Sequence, residues 1–327
     1  MNINKGIKVS LIGLAMGIAE TIPGVSGGTI AFIFRIYNEL LNTIKSISPN
    51  NITLLFKGRF GDFFRAVNGK FFLILIAGMV IGIALGVFGI SYLLETYPLL
   101  LWSFFFGLVL ASAIILSKDV SWDGARVIIF ILGTIISFGI TLISPSSGNN
   151  NLFFIALCGM IAISALMLPG LSGSFILLLL GMYSTVIKAV KNILSGINII
   201  EDLYIVLAFA LGCLIGLFTF SRVLSFTFKK YFHSTMALMI GVLLGSLNKL
   251  WPWRIPSVVL NKNTGEFTSW REVKNLPLDD LKIISEQIMM PSLYSDYSDP
   301  MIWYCLFSFL FAIVLIFFLS KVDTVEK

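Results

Sequence analysis

The sequence predicts an all-α polytopic membrane protein of two inverted repeats, each a re-entrant helical hairpin followed by three transmembrane helices. Three observations predict it. Of 327 residues, 57% are hydrophobic and 12% charged, about half the charged share of a soluble globular chain, and the mean hydropathy is +0.95. Six long stretches are nearly free of charge. Two matching Pro-Gly turns, at Pro23 and Pro169, interrupt the apolar regions 7–47 and 152–193.

This composition excludes a water-soluble enzyme and a disordered chain. The net charge of +6 does not imply nucleic acid, because the basic residues sit between apolar runs, where they orient a chain in the membrane or meet anionic lipid. Cys158, Cys213 and Cys305 stand singly, with no disulfide framework or metal spacing. His233 is the only histidine, so two-histidine metal chemistry is excluded. No cofactor and no metal are expected.

The elements follow in order. Repeat 1, residues 1–148, holds hairpin 7–47 and spans 71–90, 99–116 and 127–143. Repeat 2, residues 149–327, holds hairpin 152–193 and spans 203–221, 234–250 and 301–320, with an external insert at 251–300. A helix crosses a ~30 Å hydrocarbon core in about 20 residues. Each hairpin reads as two short helical arms around an irregular turn, which is allowed at membrane depth only where protein or a polar cavity surrounds it. The positive-inside rule places both termini in the cytoplasm, with Lys188 and Lys191 against the trend. Lys5, Lys8 and the following apolar stretch imitate a signal peptide. No small-residue cleavage site closes that stretch, so the segment is expected to be retained. The insert carries a turn signal, Asn263-Thr264-Gly265, between possible short strands.

The repeat is visible residue by residue. Pro23, Gly24, Ser26, Gly27, Ile30, Tyr37 and Lys45 each match the residue 146 positions later, from Pro169 to Lys191. Gly78, Gly82, Ser91, Gly107 and Ser112 match at 134 positions, from Gly212 to Ser246. Three spans per unit is an odd number, so the second copy is inverted, the pattern of secondary transporters. Duplication without transport is the alternative.

The second arm of each hairpin opens on small polar residues: Ser26, Gly27, Gly28 and Thr29, then Ser172, Gly173 and Ser174. Unpaired N–H groups, close backbone approach and hydroxyl donors suit a phosphate or carboxylate. The alternative is that the glycines make tight turns and the serines cap helices. Glu20 and Arg35 lie within apolar surroundings, where an ionisable group is a functional hypothesis. Glu20 is a candidate proton carrier and Arg35 a candidate partner for an anionic head; a mutual ion pair holding the arms is the alternative. Copy two has Leu166 and Gly181 at these positions, so this charge chemistry belongs to copy one. Arg222 and the tryptophans 251, 253 and 303 read as interfacial anchors. His233 reads as an interfacial residue.

The run Gly17-Ile18-Ala19-Glu20-Thr21-Ile22-Pro23-Gly24-Val25-Ser26-Gly27-Gly28-Thr29-Ile30-Ala31, with Leu168-Pro169-Gly170-Leu171-Ser172-Gly173-Ser174, resembles the hallmark of the bacterial polyprenyl-phosphate (undecaprenyl-phosphate) transporters, a membrane family formerly of unknown function. The resemblance implies a flippase in the bacterial cytoplasmic membrane. It would return undecaprenyl phosphate from the outer to the cytoplasmic leaflet for reuse in peptidoglycan and other envelope polymers. Membrane lipids and this carrier are then the expected partners, without nucleic acid. The motif positions imply headgroup contacts at Ser26, Gly27, Gly28, Ser172, Gly173 and Ser174; beside them Thr29, as a helix-start hydroxyl, and Arg35, as a charge that would neutralise the phosphate, are candidate contacts. A small-anion transporter, a lipid-phosphate phosphatase and a passive scaffold are the rival readings.

Overall fold

The computed structural model describes residues 3–21, 26–143, 148–149, 151–196, 198–261, 267–269 and 281–325. Pro23 and Gly24 of the first turn, most of the loop 144–150 and the Asn263-Thr264-Gly265 turn lie outside them.

Hairpin one comprises α1 (Ile3–Glu20), α2 (Gly27–Ile33) and α3 (Tyr37–Ser46). Two short helices, α4 (Pro49–Phe56) and α5 (Phe60–Ala66), lead to α6 (Gly69–Thr96), α7 (Pro98–Ser117) and α8 (Gly124–Leu142). Hairpin two comprises α9 (Leu152–Met167), α10 (Gly173–Leu179) and α11 (Tyr183–Leu194), followed by α12 (Ile199–Lys230) and α13 (Phe232–Ser246). Beyond a 3-10 turn lie β1 (Arg254–Asn261), β2 (Phe267–Ser269), β3 (Leu281–Ile288), α14 (Pro291–Tyr294) and α15 (Ile302–Val325). All six stretches expected to span are helical. Among the described residues four helices, α6, α7, α8 and α12, are long and apolar enough to cross a membrane, and the bent pair α10–α11 makes up to five. The protein is a multi-pass membrane protein.

The hairpins depart from the expected pair of arms. Each second arm is itself broken, into α2 and α3 and into α10 and α11, the latter bent by 112°. The breaks fall at Arg35 (φ 59°) and Gly181 (φ 69°), which are equivalent positions. One left-handed residue is enough to stop a helix, and the apolar residues on either side of Arg35 and Gly181 gave no sign of a break.

By contacts the chain forms two compact units, Met1–Leu94 with Ser112–Ser246, and Glu95–Ala111 with Leu247–Lys327. In the first, α1 meets α6 where a Cβ added at Gly78 or Gly82 would strike the backbone carbonyl of Ser10 or Leu14. In the same unit α9 meets α12, and a Cβ at Gly212 or Gly216 would strike that of Ala156 or Met160. The two sets are equivalent in the repeat. Helix backbones that touch this closely use glycine because no side chain fits. α13 packs on α8 by the same device, with Gly133 against the carbonyl of Leu238 (2.6 Å to an added Cβ). Phe71, Leu41, Ile155, Met182 and Leu243 are fully buried in this unit. Ile128, Ile135 and Leu142 on α8 stay exposed, as a lipid-facing surface does.

In the second unit Gly107 on α7 faces the carbonyl of Phe309 on α15 (2.6 Å to an added Cβ). The strands form an antiparallel sheet in the order β2-β1-β3, with Arg254 opposite Ile288 and Asn261 opposite Leu281. Arg254 pairs with Glu286 at 2.8 Å and stacks on Trp102, 4.1 Å from the ring centroid. Trp251 and Trp253 donate through Nε1 to the carbonyls of Met289 and Pro300, each at 2.9 Å. These tryptophans therefore fasten the sheet to its own unit.

Candidate functional site

The segment that follows the first motif turn, from Ser26 onward, meets the second motif turn, and both belong to the first unit. Ser26 caps α2, its Oγ accepting from the Gly28 N–H at 3.1 Å. The same hydroxyl donates across to the Leu166 carbonyl at 3.2 Å. Gly170 N–H donates back to Thr29 Oγ1 at 2.9 Å. The Tyr37 hydroxyl donates to the Met167 carbonyl. Hydroxyls of hairpin one thus satisfy the backbone at the turn of hairpin two. Gly170 takes φ +88°, a left-handed value that glycine adopts without steric cost.

The arms within each hairpin also fit by glycine. A Cβ at Gly27 would lie 3.2 Å from the Met16 carbonyl, and one at Gly173 would lie 2.6 Å from the Ala162 carbonyl. Met16 and Ala162 are equivalent positions. The motif glycines therefore allow arm to touch arm.

Ser26 and Thr29 are 1% and 2% exposed and Ser172 is 9% exposed. The seat is closed in this conformation. Ser172 and Ser174 hydroxyls share a 2.9 Å hydrogen bond, and Ser174 is exposed. Polar hydrogen bonds between membrane helices average about 0.6 kcal/mol each. The three bonds linking the hairpins thus sum to roughly 2 kcal/mol.

Glu20 and Arg35 do not pair with each other. Glu20 ends α1, and its Oε1 accepts from the Gly27 N–H at 2.7 Å. Its carboxylate occupies a donor at the start of α2, where an anionic ligand was expected. In copy two Leu166 stands there, and Ser172 makes no side-chain cap of α10. Arg35 lies past the opposite end of α2 from Ser26, roughly 12 Å away along a helix rising 1.5 Å per residue. It pairs with Asp119 Oδ2 at 2.8 Å. The structure therefore brings Ser26, Gly28, Thr29 and Tyr37 against Leu166, Met167 and Gly170, leaves Glu20 and Gly27 bonded to each other beside them, and sets Arg35 apart.

A non-glycine residue in the left-handed region costs roughly 1–2 kcal/mol. At Arg35 that cost is accepted where copy two uses glycine, and strained residues of this kind cluster at functional sites.

The sequence profile of the undecaprenyl phosphate translocase-like family matches residues 16–268. The chain belongs to that family. A polyprenyl-phosphate transporter of Vibrio cholerae is 42% identical over 245 residues, 75% of this chain and 77% of the relative. A polyprenyl-phosphate transporter of Staphylococcus aureus is 32% identical over 265 residues, 76% of this chain and 88% of the relative. No solved structure matches.

The part of this translocase-like chain matched by the profile contains every residue of the paired turns. Sequence reasoning missed Asp119, which sits in a polar loop and gave no signal. It noted Tyr37 only as a repeat match with Tyr183, without a role. His233 Nδ1 accepts from the Ser121 N–H at 3.3 Å, so the histidine fastens the loop that carries Asp119. Arg222 bonds the Phe218 carbonyl of its own helix at 2.9 Å, consistent with an anchor. Among the described residues no group of three or more His, Cys, Asp or Glu is placed to hold a metal ion.

Proposed function

We propose that this chain is a non-enzymatic carrier that returns undecaprenyl phosphate from the outer to the cytoplasmic leaflet of a bacterial cytoplasmic membrane, for reuse in envelope polymer synthesis. The observation that carries this reading is the direct hydrogen bonding of the two turns through Ser26, Thr29 and Tyr37. The names of the relatives support the class of lipid.

The donors that close the turns are those a phosphate needs. When the hairpins part, the Ser26 and Thr29 hydroxyls and the Gly170 N–H lose their partners. A phosphate restores them as charge-assisted bonds, about twice as strong as neutral ones. Ser172, Gly173 and Ser174 supply the opposite wall, while Gly27 and Gly28 let the head approach the backbone. The prenyl tail stays in lipid. Glu20 holds the Gly27 N–H; protonation weakens that bond and frees the donor, which links transport to protons. Arg35 receives the head at the far end of α2. Equivalent glycine contacts in the two halves support a repeat; with the halves inverted and the termini cytoplasmic, they rock around the turns.

The test is leaflet exchange of undecaprenyl phosphate in vesicles containing the purified protein, with and without a pH gradient. Exchange above that of empty vesicles is expected. Ser172→Trp should abolish it. Thr29→Val, which keeps shape but removes one bond to a charged ligand, should slow it about tenfold. Glu20→Gln should remove the response to the gradient. Exchange no faster than in empty vesicles would refute the function.

A further inference from the structure

Arg35 has a protein partner of its own. Its Nη2 meets Asp119 Oδ2 at 2.8 Å, with the two side chains 43% and 34% exposed. Both ions therefore remain open to a third party. Neither end of the pair is loosely placed. Arg35 is fixed by the break between α2 and α3, where its N–H donates to the Phe32 carbonyl at 3.1 Å. Asp119 sits in the loop between α7 and α8. That loop is held by Ser121 on His233 at 3.3 Å and by Asp123, which accepts from the Arg126 N–H at the start of α8 at 2.8 Å.

An arginine meant only to brace this loop has no need of the left-handed position that copy two gives to Gly181. An arginine meant only to meet phosphate has no need of an aspartate beside it. Together they form an exchangeable pair, and half-exposed pairs of this kind are weak.

We propose that Asp119 is the resident counter-ion that a phosphate monoester displaces from Arg35, and that it screens out the phosphodiester headgroups of the surrounding bilayer. This rests on the transport reading above. A monoester carries a charge of about −1.5 to −2 near pH 7, with three acceptor oxygens. It offers Arg35 a bidentate contact and more charge than a carboxylate. A phosphodiester carries one negative charge and two free oxygens, as Asp119 does. It gives Arg35 nothing that the tethered aspartate does not already supply, so it does not displace it. Without Asp119, Arg35 would accept any anionic lipid, and diester lipids far outnumber the carrier. Asp119 acts through Arg35 and is a positioning residue.

The experiment is exchange of undecaprenyl phosphate in phosphatidylcholine vesicles, with carrier concentration and phosphatidylglycerol content varied separately. For the unaltered protein the rate should not change as phosphatidylglycerol rises. Asp119→Asn should lower the apparent KM about fivefold and lower the maximal rate, because the head leaves Arg35 more slowly. It should also make transport sensitive to phosphatidylglycerol. Asp119→Glu should restore the insensitivity. An Asp119→Asn protein with unchanged or raised KM and no phosphatidylglycerol inhibition overturns the proposal while leaving transport intact. Unaltered protein that exchanges no lipid overturns transport and this proposal together. If Asp119→Asn does not fold, the unaltered protein still decides: inhibition by phosphatidylglycerol overturns the screen, and a flat response supports it.

Discussion

Arg35 shows how one position serves shape and chemistry at once. The break after α2 demands a left-handed residue, and Gly181 meets the same demand in the second copy. Arg35→Gly therefore keeps the break. Relief of strain and the greater freedom of glycine in the unfolded chain offset each other, so stability should stay within about 1 kcal/mol. Transport should fall at least tenfold. Thermal unfolding beside vesicle exchange checks this, and a variant that transports normally would remove Arg35 from the mechanism. The sequence marked residues that meet across the hairpins but not their partners. Ser26, Thr29 and Tyr37 stand out as repeated or motif residues, yet the carbonyls of Leu166 and Met167 that Ser26 and Tyr37 bond are backbone groups, which no side-chain pattern reveals. Asp119 was invisible for another reason: its partner lies 84 positions earlier (119 − 35), across the fold.

Helices in this protein approach through glycine, and the spacing of those glycines is the plainest trace of duplication. Gly78 and Gly82 on α6 meet α1 as Gly212 and Gly216 on α12 meet α9. In a bilayer, helix association has no hydrophobic drive and depends on such close packing. Gly212→Val would force branched carbons into the Ala156 carbonyl and should cost about 1–3 kcal/mol or more. Gly139, on the same α8 that packs through Gly133, has open space around a would-be Cβ. Gly139→Ala should therefore be neutral or gain about 0.5–1 kcal/mol from helix propensity. Thermal unfolding in detergent separates the two; equal effects would contradict the packing account. Element positions were legible because long apolar runs have one meaning in a membrane chain. The split of each second arm was not, because apolar residues flank both breaks, and the single Arg35 or Gly181 at each does not announce a left-handed backbone. The strands of the insert were legible only as a suggestion, since their pairing depends on residues far apart in sequence.

At the scale of the whole molecule, the hydrogen bonds of Ser26, Thr29 and Tyr37 lie where two apolar hairpins of a multi-pass membrane protein join. Helix lengths agree with that setting. α12, with 32 residues, is about 48 Å long and extends beyond a ~30 Å core. The second span of each copy packs on the third span of the other: α7 on α15 through Gly107 and Phe309, and α13 on α8 through Gly241 and Phe130. This exchange ties the copies together, and neither composition nor repeat spacing could announce it. In the proposed transport cycle the paired turns part for a headgroup to pass. The most direct measurement is vesicle exchange of undecaprenyl phosphate by Ser26→Cys/Leu166→Cys protein in a background without Cys158, Cys213 and Cys305, before and after a short reducible thiol cross-linker joins the turns. Slowed but measurable exchange is expected before cross-linking, none after it, and return to the starting rate on reduction. Exchange that continues at the starting rate across linked turns would contradict that cycle.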